Sequence, residues 1–231
     1  MTLRWILGLV LACAAVAPAV AQQRCPSRRN VDCAGAERAI DAAIAADPWL
    51  SLLEDGRRRR VAELQRLLPR EATAVLTEED AIRRRARSRE LFFTADGAME
   101  AEGAYTLRSE LEWWLIRLIR MQDDPPDGVA GHWTGAFAEA RIRPLGGGRY
   151  LVTANAAEPY ALSWLCEFEA EGVMDATDTL IAGAEGEQIA VRREGPMLRI
   201  RSIPRPGRAG FDYCGAMGSL SGSLFRIGDA E

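Results

Sequence analysis

The chain has 231 residues, nearly half of them apolar, with 29 basic against 33 acidic side chains and a formal charge of −4. That is enough material for two small cores or one large one, and neither half carries the basic excess that a nucleic-acid-binding protein needs. Every basic residue is an arginine, and no apolar run is long enough to stay in a bilayer as a spanning helix.

Residues 1–21 read as a cleaved signal peptide: Arg4, an apolar run from Trp5 to Val16, Pro18, then Ala19-Val20-Ala21 before Gln22. This implies a periplasmic or secreted protein. A rival reading takes Val10-Leu11-Ala12-Cys13 as a lipoprotein cleavage site, which would leave Cys13 lipidated and the chain tethered to a membrane. Behind the leader stand Cys25, Cys33, Cys166 and Cys214, an even set that reads as disulfides in an oxidising compartment. Closeness along the chain favours Cys25 with Cys33 and Cys166 with Cys214. On the chain-entropy argument the longer loop contributes about 4 kcal/mol and the shorter about 2.5.

Residues 22–122 form the expected helical domain. Asp32 caps a first helix whose stripe is Ala36, Ala39, Ile40, Ala43 and Ile44. Pro48 opens a second helix that Gly56 is expected to end. From Arg57 the stripe Val61, Leu64, Leu67, Leu68 predicts another, stopped by Pro69, and Thr77 then caps one that runs to about Phe93. The longest helix carries Leu107, Leu111, Trp114, Leu115 and Leu118; Trp113, Ile116 and Ile119 widen its apolar face, so contact from more than one side is expected. The arginine runs at 57–60 and 83–89 read as solvated helix faces paired with nearby carboxylates, or else as a basic patch for anionic wall polymers.

Residues 123–130, with two prolines and three acids in Asp123–Gly128, read as a linker, and past them the apolar period drops to two. Residues 131–231 therefore predict a small antiparallel barrel or sandwich, with turns at Gly146-Gly147-Gly148 and Glu194-Gly195-Pro196; the fold class is α+β. In Ser163–Phe168 the alternation puts Trp164, Cys166 and Phe168 on a buried face and Leu165 and Glu167 outside. Glu167, Glu169 and Glu171 then form an outward acidic column that could dock a basic protein or simply be solvated. The Ser/Gly-rich stretch Gly215–Phe225 places Ser219, Ser221 and Ser223 outward and Leu220 and Leu224 inward; it reads equally as a protrusion into a cleft or as a tight barrel corner. His132 is the one histidine and has no metal-ligand set or nucleophile beside it, so neither metal, cofactor nor catalysis is expected.

The segment from Asp32-Cys33 through Ala43-Ile44 to Asp47-Pro48-Trp49-Leu50-Ser51-Leu52-Leu53-Glu54, with Tyr105–Leu111, resembles the amino-terminal helical domain of the LprI-type lysozyme inhibitor family. The resemblance covers about residues 32–115, although Ala45 stands where the family usually carries a stapling cysteine. It implies a non-enzymatic protein that binds lysozyme and occludes its cleft. The residues expected to make that contact are Ser219, Ser221 and Ser223, with Glu167 and Glu169 as electrostatic support. The alternative is a non-catalytic envelope protein that binds peptidoglycan or another envelope protein through the arginine-rich helices.

Overall fold

The structure, a computed structural model, describes residues 33–91, 93, 94, 98–207, 210–215 and 217–230. The leader, Cys13, and the pairing of Cys25 with Cys33 lie outside the described residues. The architecture is α+β: helices followed by a closed antiparallel barrel.

The helices are α1 (Cys33–Ala46), α2 (Pro48–Leu67), α3 (Arg70–Ala86), a single 3-10 turn at Arg87–Glu90, and α4 (Ala101–Arg120). Asp47 caps α2, its carboxylate accepting from the N–H groups of Trp49 and Leu50. Two local signals are overridden. Helix α2 runs straight through Gly56, where a side chain would press on Leu115 of α4 at 3.1 Å, so the glycine serves helix packing and not termination. Helix α3 starts at Arg70, and Thr77 lies in its interior with its hydroxyl turned back to the Thr73 carbonyl at 2.8 Å. Of the acids after Thr77, Glu79 and Asp80 consequently meet Arg117 of α4 and Arg57 of α2, while Glu78 is exposed. Helix α4 packs through Leu107, Leu111, Trp114 and Leu118. The wider face predicted from Trp113, Ile116 and Ile119 is not buried with them, since all three are solvent-exposed.

The strands are β1 (Gly131–Thr134), β2 (Ala138–Gly146), β3 (Arg149–Ala157), β4 (Leu165–Met174), β5 (Thr179–Ala182), β6 (Glu187–Glu194), β7 (Met197–Pro204) and β8 (Gly222–Gly228). They pair in chain order, and β1 closes on β8 through Trp133 with Arg226 and Thr134 with Phe225. Closure leaves no edge strand, although β4 meets β5 over only part of its length. The β2–β3 turn is made by Gly147 and Gly148 at φ 60° and 75°, values that glycine adopts without steric cost. Trp133, Ile142, Val152, Leu180, Ile189 and Leu198 fill the interior, so this is a packed core and not a ligand cavity.

A second buried cluster joins the halves: Met197 and Phe225 of the barrel pack with Leu64, Leu76, Trp114 and Leu118 of the helices. Residues 125–127, between α4 and β1, are tied to the barrel as well, since Arg193 donates to the carbonyls of Pro125 and Pro126 and to Asp127 at 2.7 to 2.9 Å.

Candidate functional site

Strand β5 pairs with β4 only at Gly172–Met174, which leaves the first half of β4 without a partner on that side. The long β7–β8 excursion covers the gap. Glu167 N–H donates to the Tyr213 carbonyl at 2.8 Å, and Gly215 N–H donates to that of Leu165 at 2.7 Å. The Cys166–Cys214 disulfide pins this crossing, as its buried strand position leads one to expect. Gly218 then passes so close to Trp164 that an added Cβ would lie 2.9 Å from the ring.

Beside it, the β3–β4 loop is folded around one carboxylate. Glu158 accepts from the N–H groups of Tyr160 and Ala161. Desolvation pushes its pKa up, but the N–H groups of Ala161, Tyr160, Ser163 and Leu162 outweigh this and hold the carboxyl below its usual range. The helical half supports the same loop, with Arg89 donating to the Pro159 carbonyl at 3.0 Å and Arg85 lying over Tyr160.

The two loops present apolar side chains from backbone that such residues rarely adopt. Leu162 sits at φ 50° and Met217 at φ 66°, 47% and 84% exposed; Leu165, 57% exposed, stands between the loops on β4. Left-handed backbone outside glycine costs of order 1–3 kcal/mol per residue and concentrates at functional sites. Sequence reasoning places Leu165 outward but passes over Leu162 and Met217, since nothing local marks a leucine or a methionine for positive φ.

Glu167 and Glu169 continue outward from Leu165 as the alternation predicts, whereas Glu171 is engaged by Arg149. The serines behave as a corner. The Ser219 hydroxyl lies within hydrogen-bond distance of those of Ser202 and Ser221, Ser221 accepts the Ser202 N–H at 3.0 Å, and Ser223 accepts from Arg199 at 2.6 Å. Their hydroxyls tie β7 to the entry of β8, while Leu220 and Leu224 point inward. Among the described residues of the stretch, the most exposed side chain is Met217.

His132 Nε2 lies 2.9 Å from Glu139, on the barrel wall next to the core residue Trp133. Burial lowers the imidazole pKa below its ordinary 6.5, more than Glu139 raises it; Arg141 and Arg120 add to the lowering. A depressed histidine contributes stability above its unfolded pKa and loses it as pH falls through the folded value. We expect His132→Gln to flatten the loss of stability below pH 6.5, measured by urea unfolding across pH; an unchanged slope would remove His132 as its source. Among the described residues no group of three His, Cys, Asp or Glu side chains could hold a metal.

The arginine runs depart from the solvated picture. Arg58, Arg59, Arg84 and Arg85 are exposed, but Arg57 is buried in a two-pronged pair with Glu54 at 2.8 and 2.9 Å and also meets Asp80. The reason is helical register: Arg57 shares the inward face of α2 with Leu50, Leu53, Val61 and Leu64. Deeper still, Arg117 of α4 joins Glu79 of α3 to Thr134 of β1.

The chain matches no protein-family model, no curated protein sequence and no solved structure.

Proposed function

We propose that this is an exported, non-catalytic binding protein that presents the disulfide end of its barrel to a protein partner, and that the partner is a lysozyme whose cleft it occludes. The observation that carries the reading is the pair Leu162 and Met217, exposed and held at positive φ on loops anchored by Glu158 and by the disulfide. Rigid presentation of apolar side chains lowers the entropy lost on binding. Glu167 and Glu169 beside this rim suit a basic enzyme, with Ser219, Ser221 and Ser223 at its periphery. The Cys166–Cys214 disulfide fits an oxidising compartment, which agrees with a leader at 1–21, and no described helix is long and apolar enough to cross a membrane. Residues 22–122 act as the LprI-like helical domain that supports the rim, and residues 131–231 carry it.

The test replaces Leu162 and Met217 by asparagine, the side chain best suited after glycine to positive φ. The double variant should fold as stably as the parent or better, yet lose about 2 kcal/mol of binding, roughly thirtyfold in Kd. Titration of the oxidised protein into c-type lysozyme during clearance of a cell-wall suspension reads this out. Full inhibition by the variant would remove the rim from the contact, and no complex with c-, g- or i-type lysozyme would remove the lysozyme reading. A second reading, envelope binding through the helices, rests on the exposed Arg58, Arg59, Arg84 and Arg85 and predicts salt-sensitive retention on peptidoglycan.

A further inference from the structure

Helix α4 shows water a face that its sequence makes apolar. Residues three and four apart share a helix face, so Tyr105, Glu112, Ile116 and Ile119 form one stripe, with Trp113 and Arg120 along its border. Helix α2 extends the patch, since the Trp49 indole donates to Glu112 at 3.1 Å and Leu52 stands one turn further on. Trp49, Leu52, Tyr105, Trp113, Ile116 and Ile119 are between 46% and 77% exposed. Taking roughly 150–250 Å² for each side chain when fully open, they leave on the order of 600 Å² of apolar surface in water. Monomers rarely show a contiguous apolar patch beyond a few hundred Å². With Arg108, Glu112 and Arg120 around it, this one approaches the roughly 800 Å² per partner that a standard interface covers.

The arrangement about Ile116 says what fits it. Glu112 stands four residues before Ile116 and Arg120 four after; Trp113 stands three before and Ile119 three after. Opposite charges at equal distances on either side of an apolar centre are self-complementary. An antiparallel second α4 crossing at Ile116 sets that residue on its own copy, Trp113 on the partner's Ile119 and Glu112 beside the partner's Arg120, the last two contacts each made twice. A two-fold interface needs this relation, in which residue i meets j and j meets i. Both charges also have capacity left. Trp49 and Arg108 meet Glu112 at Oε1, at 3.1 and 2.7 Å, and leave Oε2 without a hydrogen bond among the described residues. Arg120 is exposed, and among the described residues its guanidinium has no hydrogen-bond or ion-pair partner.

We propose that this face is the interface of a homodimer, with α4 packed antiparallel on the α4 of a second copy about an axis at Ile116, and with Trp49 and Leu52 on its flank. None of these residues belongs to the barrel rim, so the dimer stands or falls without the lysozyme reading.

Sedimentation equilibrium of the purified protein across micromolar concentrations tests this, and a reversible dimer is expected. Ile116→Glu sets two carboxylates against each other at the axis and should give a monomer that keeps the parent's circular dichroism, because the side chain is exposed in the single chain. Glu112→Arg and Arg120→Glu each bring like charges together and should weaken association about tenfold or more. An equimolar mixture of those two variants restores both ion pairs in the heterodimer and should recover much of the parent's association, a gain that no folding defect can mimic. A parent that stays monomeric, a dimer that Ile116→Glu leaves intact, or a mixture that associates no better than its components overturns the proposal. A monomeric parent captured by phosphatidylcholine vesicles also overturns it and gives the face to a membrane.

Discussion

Replacing Arg117 by alanine is expected to destabilise the protein by about 3–5 kcal/mol, the range for removing one partner of a buried ion pair. The Arg117 side chain is 2% exposed and that of Glu79 8%, with 2.8 Å between Nη2 and Oε2. Arg117 also donates to the Thr134 hydroxyl and carbonyl, both at 2.6 Å, and lies over Trp114. One side chain therefore fastens α4 to α3 and to the first barrel strand, and its loss strands a carboxylate in the seam. Burial pushes the Glu79 pKa above its ordinary 4.5, while Arg117 pulls it back. A carboxyl whose folded pKa is raised binds its proton more tightly in the native state, so its contribution falls as pH rises from the unfolded value through the folded one. Without Arg117 that window widens upward. The deficit of Arg117→Ala should accordingly shrink on acidification from neutral pH, as Glu79 protonates. The Glu79→Gln/Arg117→Met double variant, which leaves no buried charge, should recover much of the loss. Denaturant unfolding of the parent, Arg117→Ala and the double variant across pH measures this. A deficit below about 1 kcal/mol for Arg117→Ala would show that the pair does not hold the seam. Because Met197 and Phe225 share a core with Leu64 and Trp114, the parent should unfold in one cooperative transition.

Cys166→Ser/Cys214→Ser should cost about 4 kcal/mol, the chain-entropy value for a loop of this length. The sequence separation is 48, and the crosslink joins β4 to the excursion that covers its open half. Its removal frees the unfolded chain and also the native loop that carries Met217. Two readouts are expected: a lower unfolding free energy with a larger denaturant slope, and weaker partner binding from loss of rim order. Retention of both stability and binding would leave the disulfide without either role.

Much of the barrel is legible because strand signals are local. Trp164, Cys166 and Phe168 turn inward as their alternation requires, Gly147 and Gly148 turn the chain where the run of glycines predicts, and the cysteine pair follows from strand position. The helical half is legible in its stripes and less so in its boundaries. Gly56 and Thr77 are ordinary stop and start signals, yet α4 packs against the first and the body of α3 absorbs the second. Trp113, Ile116 and Ile119 mislead in the opposite direction, being apolar but exposed.

The candidate site is legible only in part. Glu167 and Glu169 are outward because a strand has period two, a property of neighbouring residues. Leu162 and Met217 acquire their backbone from what surrounds them: the Glu158 carboxylate for one, the pinned crossing over β4 for the other. The change from helical to strand period near residue 130, the buried cysteine face and the turns can all be read along the chain, since each depends on residues a few positions apart. Closure of the barrel through β1 and β8, the shared burial of Arg117 and Glu79, and the placing of Arg83 over Trp113 and Phe137 emerge only in the folded chain. Those outcomes depend on desolvation and on partners brought together from distant parts of the chain, and a charged residue in a helical run looks the same in sequence whether water or a carboxylate will face it.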